Sequence, residues 1–338
     1  MEKVRWGILG TAAIARTRAL PALAAAEHAV LAAVGSRDLV KARAVAAEFG
    51  APHVHGSYEA LLADPNVDAL YIPLPNHLHL EWSVRGLEAG KHVLCEKPLV
   101  LKAAEVETLV AARERTGRHI EEAFSYRNHP QWGKIRELLD DGAIGEPLAV
   151  HATLAKQFHD PDDIRNNPDQ GGGALYDLGS YAISACTLVY GGAPQRVIGT
   201  LDRDPRFRID RLSTAILDFG GRYATISVSS QGGPNAWASH QQFTVLGSRG
   251  WLACDFPYAH GRPTTCRVLV GDEASAGSMP TRTFAFEPVN QYTLQFDRFS
   301  RYVRGERVPS WPIEDAALTL RVIEALFASA RNDQWMRP

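Results

Sequence analysis

Two short stretches of the chain carry side chains that could move a proton. In the first, Glu96-Lys97-Pro98 follows the apolar run His92–Cys95. If that run is a strand of an open parallel sheet, its carboxyl end opens onto the crevice where ligands bind, and a lysine there can reach a substrate. Proline fixes its own φ and restricts the residue before it, so Lys97 leaves the strand on a defined path. The alternative is a surface lysine that closes a strand.

The second stretch is a glycine turn followed by an aspartate and a tyrosine. Gly171-Gly172-Gly173 allows the backbone to approach a neighbour closely, and Asp177 and Tyr181 follow at a spacing of four. On a helix this spacing puts both side chains on one face, near the positive potential of the helix start. We predict a proton-transfer pair. The alternative is a tyrosine packed in the core whose hydroxyl is capped by Asp177.

The beginning of the chain has the pattern of a dinucleotide-binding unit. The apolar run Val4–Leu9 precedes Gly10-Thr11-Ala12-Ala13-Ile14-Ala15 and a stretch compatible with a helix to about residue 26. Gly10 permits the tight turn, Ala12 leaves room for a pyrophosphate and Ala15 permits close packing of helix on strand. A similar turn in another doubly wound fold is the alternative. The residues predicted to bind cofactor phosphates through backbone N–H groups are Gly10, Thr11, Ala12, Ala13 and Ile14.

The end of the next predicted strand, 30–34, indicates which dinucleotide is bound. NAD-binding chains usually hold the ribose there with an acidic residue, whereas this chain has Gly35-Ser36-Arg37. Ser36 can donate a hydrogen bond, and the guanidinium of Arg37 can pair with a 2′-phosphate or stack on adenine. NADP(H) is therefore favoured over NAD. The alternatives are an arginine at an exposed helix start capped by Asp38, or a ribose contact from Asp38.

Strands and helices continue to alternate to about residue 124, as a parallel sheet requires. After the strand 69–72, two prolines hold Pro73-Leu74-Pro75-Asn76 extended at the same sheet edge, where we expect it to pass along the cofactor. His77 and His79 are weak metal ligands because no acidic residue or cysteine is nearby, so we predict no metal site and two polar caps on the helix 80–89. The cofactor contacts predicted here are Leu74, Pro75, Asn76 and His79, with Glu96 and Lys97 beyond.

The second half of the chain is rich in longer strands with alternating polarity. They are predicted at 147–158, 195–201, 212–219, 223–230, 242–246, 251–256 and 266–270. Such strands suggest one large, mostly antiparallel or mixed open sheet. Helices can cover one face and a second subunit the other, so we expect a dimer or tetramer. We predict an α/β domain with a doubly wound parallel sheet at 1–124, and an α+β substrate-binding and dimerisation domain at 125–338.

Composition narrows the classes of function. Of 338 residues, 45% are hydrophobic and 22% charged, and the net charge is −2, which argues against nucleic acid or an anionic membrane as the main partner. The four cysteines form no C-x-x-C pair, so neither a zinc knuckle nor a disulfide framework is indicated. No signal peptide or membrane-spanning run is expected, and we predict a cytoplasmic location.

The order and spacing of these motifs resemble the Gfo/Idh/MocA oxidoreductases along nearly the whole chain. The resemblance rests on Gly7-Ile8-Leu9-Gly10-Thr11-Ala12, on Glu96-Lys97-Pro98, and on the glycine turn with Asp177 and Tyr181. It is closer to the branch of NADP-dependent D-xylose dehydrogenases, dimeric dihydrodiol dehydrogenases and sugar 3-ketoreductases. That branch has strings similar to 73–76, to 122–131 and to Asp163-Ile164-Arg165.

The resemblance implies a nucleotide-binding first domain, a second domain whose sheet mediates dimerisation, and a catalytic role for Lys97. Many members carry histidine at the position of Tyr181, while tyrosine is typical of the branch. It further implies that Arg165 contacts either cofactor phosphate or a substrate hydroxyl. Tyr176 replaces a small aliphatic residue beside the expected pocket, which leaves the substrate open.

The mechanism that we predict on this basis is hydride transfer from a sugar carbinol while Tyr181 takes the hydroxyl proton. Tyrosine ordinarily titrates near pH ~10, and a lysine ammonium within about 4–6 Å favours the phenolate, which is the role assigned to Lys97. Glu96 would keep Lys97 charged, and Asp177 would bind an adjacent hydroxyl.

The leading interpretation is an aldose 1-dehydrogenase. The alternatives are a keto-sugar reductase, a sugar-to-sugar oxidoreductase that retains its cofactor, a trans-dihydrodiol dehydrogenase and an NADP-sensing binding protein. The intact Lys97 and Tyr181 argue against the last of these, since a sensor has no need of groups that transfer a proton.

Overall fold

The computed structural model describes residues 2–232, 239–258, 266–274 and 279–338. The chain forms two compact units, one of Met1–Asn128 with Asn290–Ala316 and one of His129–Val289 with Ala317–Pro338. The sequence predicts a single boundary after residue 124. The compact units differ from that division because the segment 290–316 belongs with the first of them.

The first unit contains a six-stranded sheet in which every pair is parallel. Its strands are β1 (Val4–Leu9), β2 (Ala29–Gly35), β3 (His53–His55), β4 (Ala69–Ile72), β5 (His92–Cys95) and β6 (Ile120–Glu122). The order β3-β2-β1-β4-β5-β6 reverses between β1 and β4, which is where such sheets bind ligands beyond the carboxyl ends of their strands. The predicted doubly wound parallel sheet is confirmed.

Helices connect these strands, and local sequence sets their ends. They are a π-helical turn (Ala15–Ala19), α1 (Leu20–Ala24), α2 (Leu39–Phe49), α3 (Tyr58–Leu62), α4 (His79–Glu88) and α5 (Glu105–Thr116). The carboxylate of Asp38 accepts the N–H of Lys41 and caps α2. Gly50 ends the same helix at a left-handed φ of 74°.

The second unit contains one eight-stranded mixed sheet in the order β14-β13-β12-β11-β7-β10-β9-β8. The strands are β7 (Pro147–Ala155), β8 (Arg196–Arg203), β9 (Asp210–Asp218), β10 (Tyr223–Ser229), β11 (His240–Gly247), β12 (Gly250–Cys254), β13 (Cys266–Gly271) and β14 (Arg282–Phe286). Among the strand pairs in the part of the chain that the structure describes, only β7 and β10 run in parallel. The large, mostly antiparallel sheet is confirmed, and β14 adds a strand to the seven predicted.

One face of this sheet is core and the other is open. Along β7, Val150, Ala152 and Leu154 are buried, whereas the alternate residues are not. The open face carries large apolar side chains that remain exposed: Leu212, Ile216, Tyr223 and Leu246. The described residues after 128 also include the α-helices α6 (Pro130–Asp140), α7 (Ser180–Tyr190), α8 (Gln291–Val303) and α9 (Glu314–Asn332).

The return of α8 to the first unit has a physical cause in its apolar face. The indole of Trp6 on β1 is fully buried, with its ring centroid 4.8 Å from that of Phe296 and 5.1 Å from that of Phe299. Arg298 on the same helix donates to the buried carboxylate of Glu121 at the end of the sheet, with 3.0 Å between Nη1 and Oε1. The sheet therefore needs α8 both to cover an indole and to neutralise a carboxylate.

Of the helices that the structure describes, none combines the length and the apolar character needed to cross a bilayer.

Candidate active site

Lys97 lies in a turn at the carboxyl end of β5 whose neighbours are all buried. Within 93–100, Lys97 alone is partly exposed. The buried carboxylate of Glu96 accepts the phenolic O–H of Tyr71 at 2.6 Å and the backbone N–H of Lys97 at 3.2 Å. Glu96 therefore joins the turn to the neighbouring strand β4.

Two more buried polar groups hold the same turn. Nδ1 of His79 on α4 lies 2.8 Å from the carbonyl oxygen of Pro98. Oε1 of Glu122, at the end of β6, accepts the N–H of Leu99 at 2.9 Å. Residues 96–99, which we call the lysine turn, are thus fixed to three separate elements of the first unit, and the amine of Lys97 is displayed from a rigid base.

The structure corrects the role predicted for His79. Its ring is fully buried, and Nε2 lies 2.8 Å from the carbonyl oxygen of Leu74 while Nδ1 faces Pro98. Both ring nitrogens face backbone carbonyls, so this side chain is neither a helix cap nor placed to contact a cofactor directly. The sequence could not indicate this because the burial comes from two loops that are distant along the chain.

The glycine loop after β1 is closely packed against the loop after β4. Gly10 has a φ of +94°, and a Cβ added there would lie 3.1 Å from Cδ2 of Leu74. Its N–H donates to the carbonyl oxygen of Gly35 at 2.7 Å. Beyond it, Ala13 is exposed and Thr11, Ala12 and Ile14 are half-buried. Small residues and a left-handed glycine leave the backbone approachable, which fits a bound dinucleotide phosphate.

The residues predicted to choose between NAD and NADP lie at the start of α2. Arg37 is exposed, and its guanidinium carbon is 6.0 Å from the centroid of the Tyr58 ring. Ser36 is buried, and its hydroxyl oxygen accepts the N–H of Asp38. The N–H of Lys41 holds the pKa of Asp38 below its ordinary value, so this carboxylate is the helix cap. An exposed guanidinium fits a 2′-phosphate.

In the second unit, Asp177 lies in a π-helical turn (Leu175–Gly179) that runs directly into α7, where Tyr181 is the second residue. Asp177 and Tyr181 are both buried. Short π-helical segments are frequent at functional sites. The predicted helix is present, although its first turn is wider than an α-helix.

Arg165 is held between two carboxylates. Its Nε donates to Oδ2 of Asp177 at 3.1 Å, and its Nη1 donates to Oδ1 of Asp163 at 3.1 Å. Its guanidinium carbon also lies 4.5 Å from the centroid of the Phe158 ring. Burial lowers the pKa of Arg165, but the two carboxylates outweigh it and raise the pKa above the ordinary value. Arg165 therefore orients Asp177, and any anion that approaches it must compete with both carboxylates.

The glycine turn is explained by Asp210, which the sequence analysis missed. Its buried carboxylate accepts the N–H of Leu175 at 2.8 Å and the hydroxyl of Ser213 at 2.9 Å. Gly173 has a φ of +117°, and a Cβ there would come within 2.0 Å of the Asp210 carboxylate. Burial raises the pKa of Asp210 to about 6. No local signal marks this residue, because it comes from the start of β9.

The rings around Tyr181 also differ from the expectation. Tyr258, which is fully buried and which the sequence did not single out, meets Tyr181 edge to face at 5.5 Å between centroids. Tyr176, expected beside the substrate, has its ring 5.7 Å from that of Phe327 on α9. Tyr258 therefore packs against the ring of Tyr181, whereas the contact of Tyr176 with substrate stays a prediction.

Comparison with known proteins places these residues in a family. Residues 4–124 match the model described as the oxidoreductase family with an NAD-binding Rossmann fold, and residues 132–253 match the GFO/IDH/MocA C-terminal domain. The chain belongs to the Gfo/Idh/MocA oxidoreductases. The predicted resemblance is confirmed, and the chain is an oxidoreductase with an NAD(P)-binding Rossmann domain.

Individual relatives cover nearly the whole chain. It is 36% identical over 328 residues to D-xylose 1-dehydrogenase (NADP(+)) 2 of Haloferax volcanii, which covers 97% of each chain. KijD10, a 3-ketoreductase from Actinomadura kijaniata in complex with NADP and TDP-benzene, has a TM-score of 0.87 at 31% identity, over 97% of this chain and 98% of that one. The aldose-aldose oxidoreductase of Caulobacter crescentus has a TM-score of 0.87 at 26% identity over 100% of both chains.

Glu122 is a third residue, after Asp210 and Tyr258, that the sequence motifs did not mark as functional. Burial raises its pKa to about 7, although the nearby charge of Arg127 opposes the shift. Arg127 is itself buried and donates to Asp315 at 3.0 Å. The carboxylate that accepts the N–H of Leu99 thus titrates near neutral pH. Its ionisation therefore bears on the lysine turn.

A pH series on Glu122→Gln tests this assignment. The pKa of Glu122 is higher in the folded state than in the unfolded state, so the free energy of unfolding falls as pH rises through about 7. The stability that the protonated carboxyl contributes is fully present only below about pH 4.5, the pKa of the unfolded state. Glutamine still accepts from Leu99 but does not ionise. Relative to wild type, the variant should gain about 3 kcal/mol of unfolding free energy between pH 5 and pH 8, measured by urea titration.

The matched control is Glu107→Gln on the exposed face of α5, which should follow the wild-type pH dependence. Parallel curves for wild type and Glu122→Gln would show that Glu122 keeps an ordinary pKa.

Proposed function

We propose that the chain is an NADP-dependent oxidoreductase that transfers hydride between nicotinamide and the carbinol or carbonyl of a carbohydrate, acting as an aldose 1-dehydrogenase. The observation that carries this proposal is the lysine turn, in which buried groups on three elements present one amine at the ligand-binding edge of the sheet. The similarity to a D-xylose dehydrogenase over nearly the full length supports an aldose as substrate.

The pairing of Lys97 with Tyr181 has support from the ketoreductase of Actinomadura kijaniata. Variants of one lysine and of one tyrosine of that enzyme have been crystallised with NADP and TDP-benzene. Those two residues are separated by the same number of positions as Lys97 and Tyr181. The two residues lie in different units of this chain, and their convergence on one substrate is part of the proposal.

In this mechanism the substrate hydroxyl donates to Tyr181, which takes its proton in the oxidative direction and returns it in the reductive direction. The ammonium of Lys97 stabilises the phenolate form of Tyr181. Asp177 binds a neighbouring substrate hydroxyl and is oriented by Arg165. When bound, the nicotinamide supplies the hydride acceptor or donor.

The catalytic pair is tested by Lys97→Met and Tyr181→Phe. Each should lower kcat by about two orders of magnitude or more, because each removes a group that acts in the transition state. The affinity for NADP+ should remain nearly intact. Turnover is followed by the absorbance of NADPH with an aldose as substrate, and affinity by the quenching of intrinsic fluorescence.

Lys102→Met serves as the control, since it removes an exposed lysine shortly after the same turn. Wild-type turnover in Lys97→Met or in Tyr181→Phe would refute the assignment of that residue.

NADP would be held by the first unit. We propose that the backbone of residues 10–14 binds the pyrophosphate, that Ser36 and Arg37 bind the 2′-phosphate, and that Leu74, Pro75 and Asn76 line the nicotinamide end. The supporting observations are the left-handed Gly10, the exposed guanidinium of Arg37 and the commitment of Asp38 to capping α2.

Cofactor preference is tested by Arg37→Ala. Loss of charge-assisted hydrogen bonds to a phosphate should raise the Kd for NADP+ about 10- to 100-fold and leave that for NAD+ nearly unchanged, as measured by calorimetry. Arg43→Ala, at an exposed arginine further along α2, should change neither value. Equal weakening of both cofactors by Arg37→Ala would exclude a 2′-phosphate contact.

A second candidate function is reduction of a keto-sugar, favoured by the whole-chain structural match to KijD10. The aldose-aldose oxidoreductase match favours a further variant in which the cofactor is retained between two sugars. Other relatives act on a trans-dihydrodiol. A panel of aldoses, ketoses and vicinal diols with NADP+ and NADPH separates these, and binding of NADP without turnover of any of them would favour a sensor.

We also propose that two copies associate through the open face of the eight-stranded sheet. The exposed apolar side chains on that face support it. Ile216→Lys, on β9 beside the edge strand β8, should convert a dimer to a monomer in sedimentation velocity without loss of the folded state. A monomeric wild type at micromolar concentration would refute this interface.

The cytoplasmic location stays a prediction, supported by the near-neutral charge and scattered cysteines.

A further inference from the structure

His79 occupies an unusual place for a polar side chain, because it is fully buried between two loops at the ligand-binding edge of the sheet. It is the first residue of α4. Its Nδ1 faces the carbonyl oxygen of Pro98, and its Nε2 faces the carbonyl oxygen of Leu74, each at 2.8 Å. The imidazole therefore spans the gap between the exits of the adjacent strands β4 and β5.

Each of these loops has its own connection to the site. Leu74 follows β4 and lies against the glycine loop, where its Cδ2 would be 3.1 Å from a Cβ on Gly10. Pro98 follows β5 and is the neighbour of Lys97. A shift of the 73–76 loop relative to the lysine turn would therefore move the amine relative to anything held against the glycine loop.

The two contacts of His79 are chemically separable. Burial lowers the pKa of His79 to about 4, with hydrogen bonding to the two carbonyls opposing the shift. A neutral imidazole carries one N–H, so it donates through Nδ1 to the carbonyl of Pro98 in one tautomer and through Nε2 to the carbonyl of Leu74 in the other. Substitutions that keep a donor at one end alone can therefore distinguish the two loops.

We infer that His79 is a positioning residue that keeps the lysine turn in register with the loop that lines the cofactor. The inference rests on the proposed function, because register matters where a hydride and a proton must be transferred together. Catalytic groups have to be held within about 0.5 Å of their productive positions. Loops hold side chains less precisely than helices or strands do, so a site on two loops needs a buried support.

The test compares His79→Asn with His79→Gln. The shorter amide of asparagine lies near the position of Nδ1 and keeps a donor toward Pro98, whereas the longer amide of glutamine lies near Nε2 and keeps a donor toward Leu74. Three quantities are measured: the Kd for NADP+, kcat per folded site, and amide hydrogen exchange in peptides covering 73–78 and 96–101.

The expected result is a crossed pattern. His79→Asn should raise the Kd for NADP+ about 10-fold, with faster exchange in 73–78 and kcat close to wild type. His79→Gln should lower kcat about 10-fold, with faster exchange in 96–101 and the Kd nearly unchanged. His77→Asn, at the exposed histidine two positions earlier, is the matched control and should change none of the three.

Three outcomes would overturn the inference. In one, both variants resemble wild type in all three measurements. In another, the melting temperature falls while Kd and kcat per folded site do not change, which is the behaviour of a merely structural residue. In the third, both variants change both peptides equally. A wild type that turns over no sugar would refute the proposed function. Amide exchange and the Kd for NADP+ need no sugar, so they would still show whether His79 holds the two loops in register.

Discussion

The cost of burying polar groups is the constraint on which the first unit depends. A carboxylate or an imidazole removed from water is tolerated only where hydrogen bonds replace the lost hydration. Glu96 within the lysine turn and Glu122 and His79 beside it are all buried, and each is satisfied in part by a backbone group of that turn. The dependence is mutual: the buried groups need the turn in one conformation, and the turn is held in that conformation by its hydrogen bonds to them. The flexible, hydrated side chain of Lys97 therefore extends from a backbone position that is held in place.

The second unit uses the same constraint with different chemistry. The carboxylate of Asp210 occupies the space that a side chain at Gly173 would fill, and it satisfies the first free N–H of the π-helical turn. Arg165 is balanced by Asp163 and Asp177, so the aspartate that is proposed to bind a substrate hydroxyl is held in place by a charged neighbour. The part of the site in each unit is thus organised by polar groups, such as His79 in the first and Asp210 in the second, that do not themselves need to touch a ligand.

The family relationship establishes the class of chemistry but leaves the substrate to details outside the shared motifs. D-xylose dehydrogenase, the dTDP-sugar ketoreductases and the aldose-aldose oxidoreductase are all similar to this chain across most of its length. A fold held in common supports several reactions because specificity depends on the few side chains that line the pocket. In this chain, Tyr176 precedes the proposed catalytic Tyr181 by a few positions in the sequence. Tyr258 packs against the ring of Tyr181 in the folded second unit. Both are positions at which the relatives can be compared.

The sequence by itself determined the parallel sheet, the glycine loop, the strand-rich second half and the positions of Lys97 and Tyr181. Each of these depends on local features, namely hydrophobic periodicity, turn residues and short motifs, that are visible within a few positions. The tertiary structure decided the roles of His79, Glu122, Asp210 and Tyr258, and the return of α8 to cover Trp6. These depend on contacts between residues far apart in the chain. Burial and hydrogen-bond satisfaction are properties of the assembled fold, so no pattern within one segment could have revealed them.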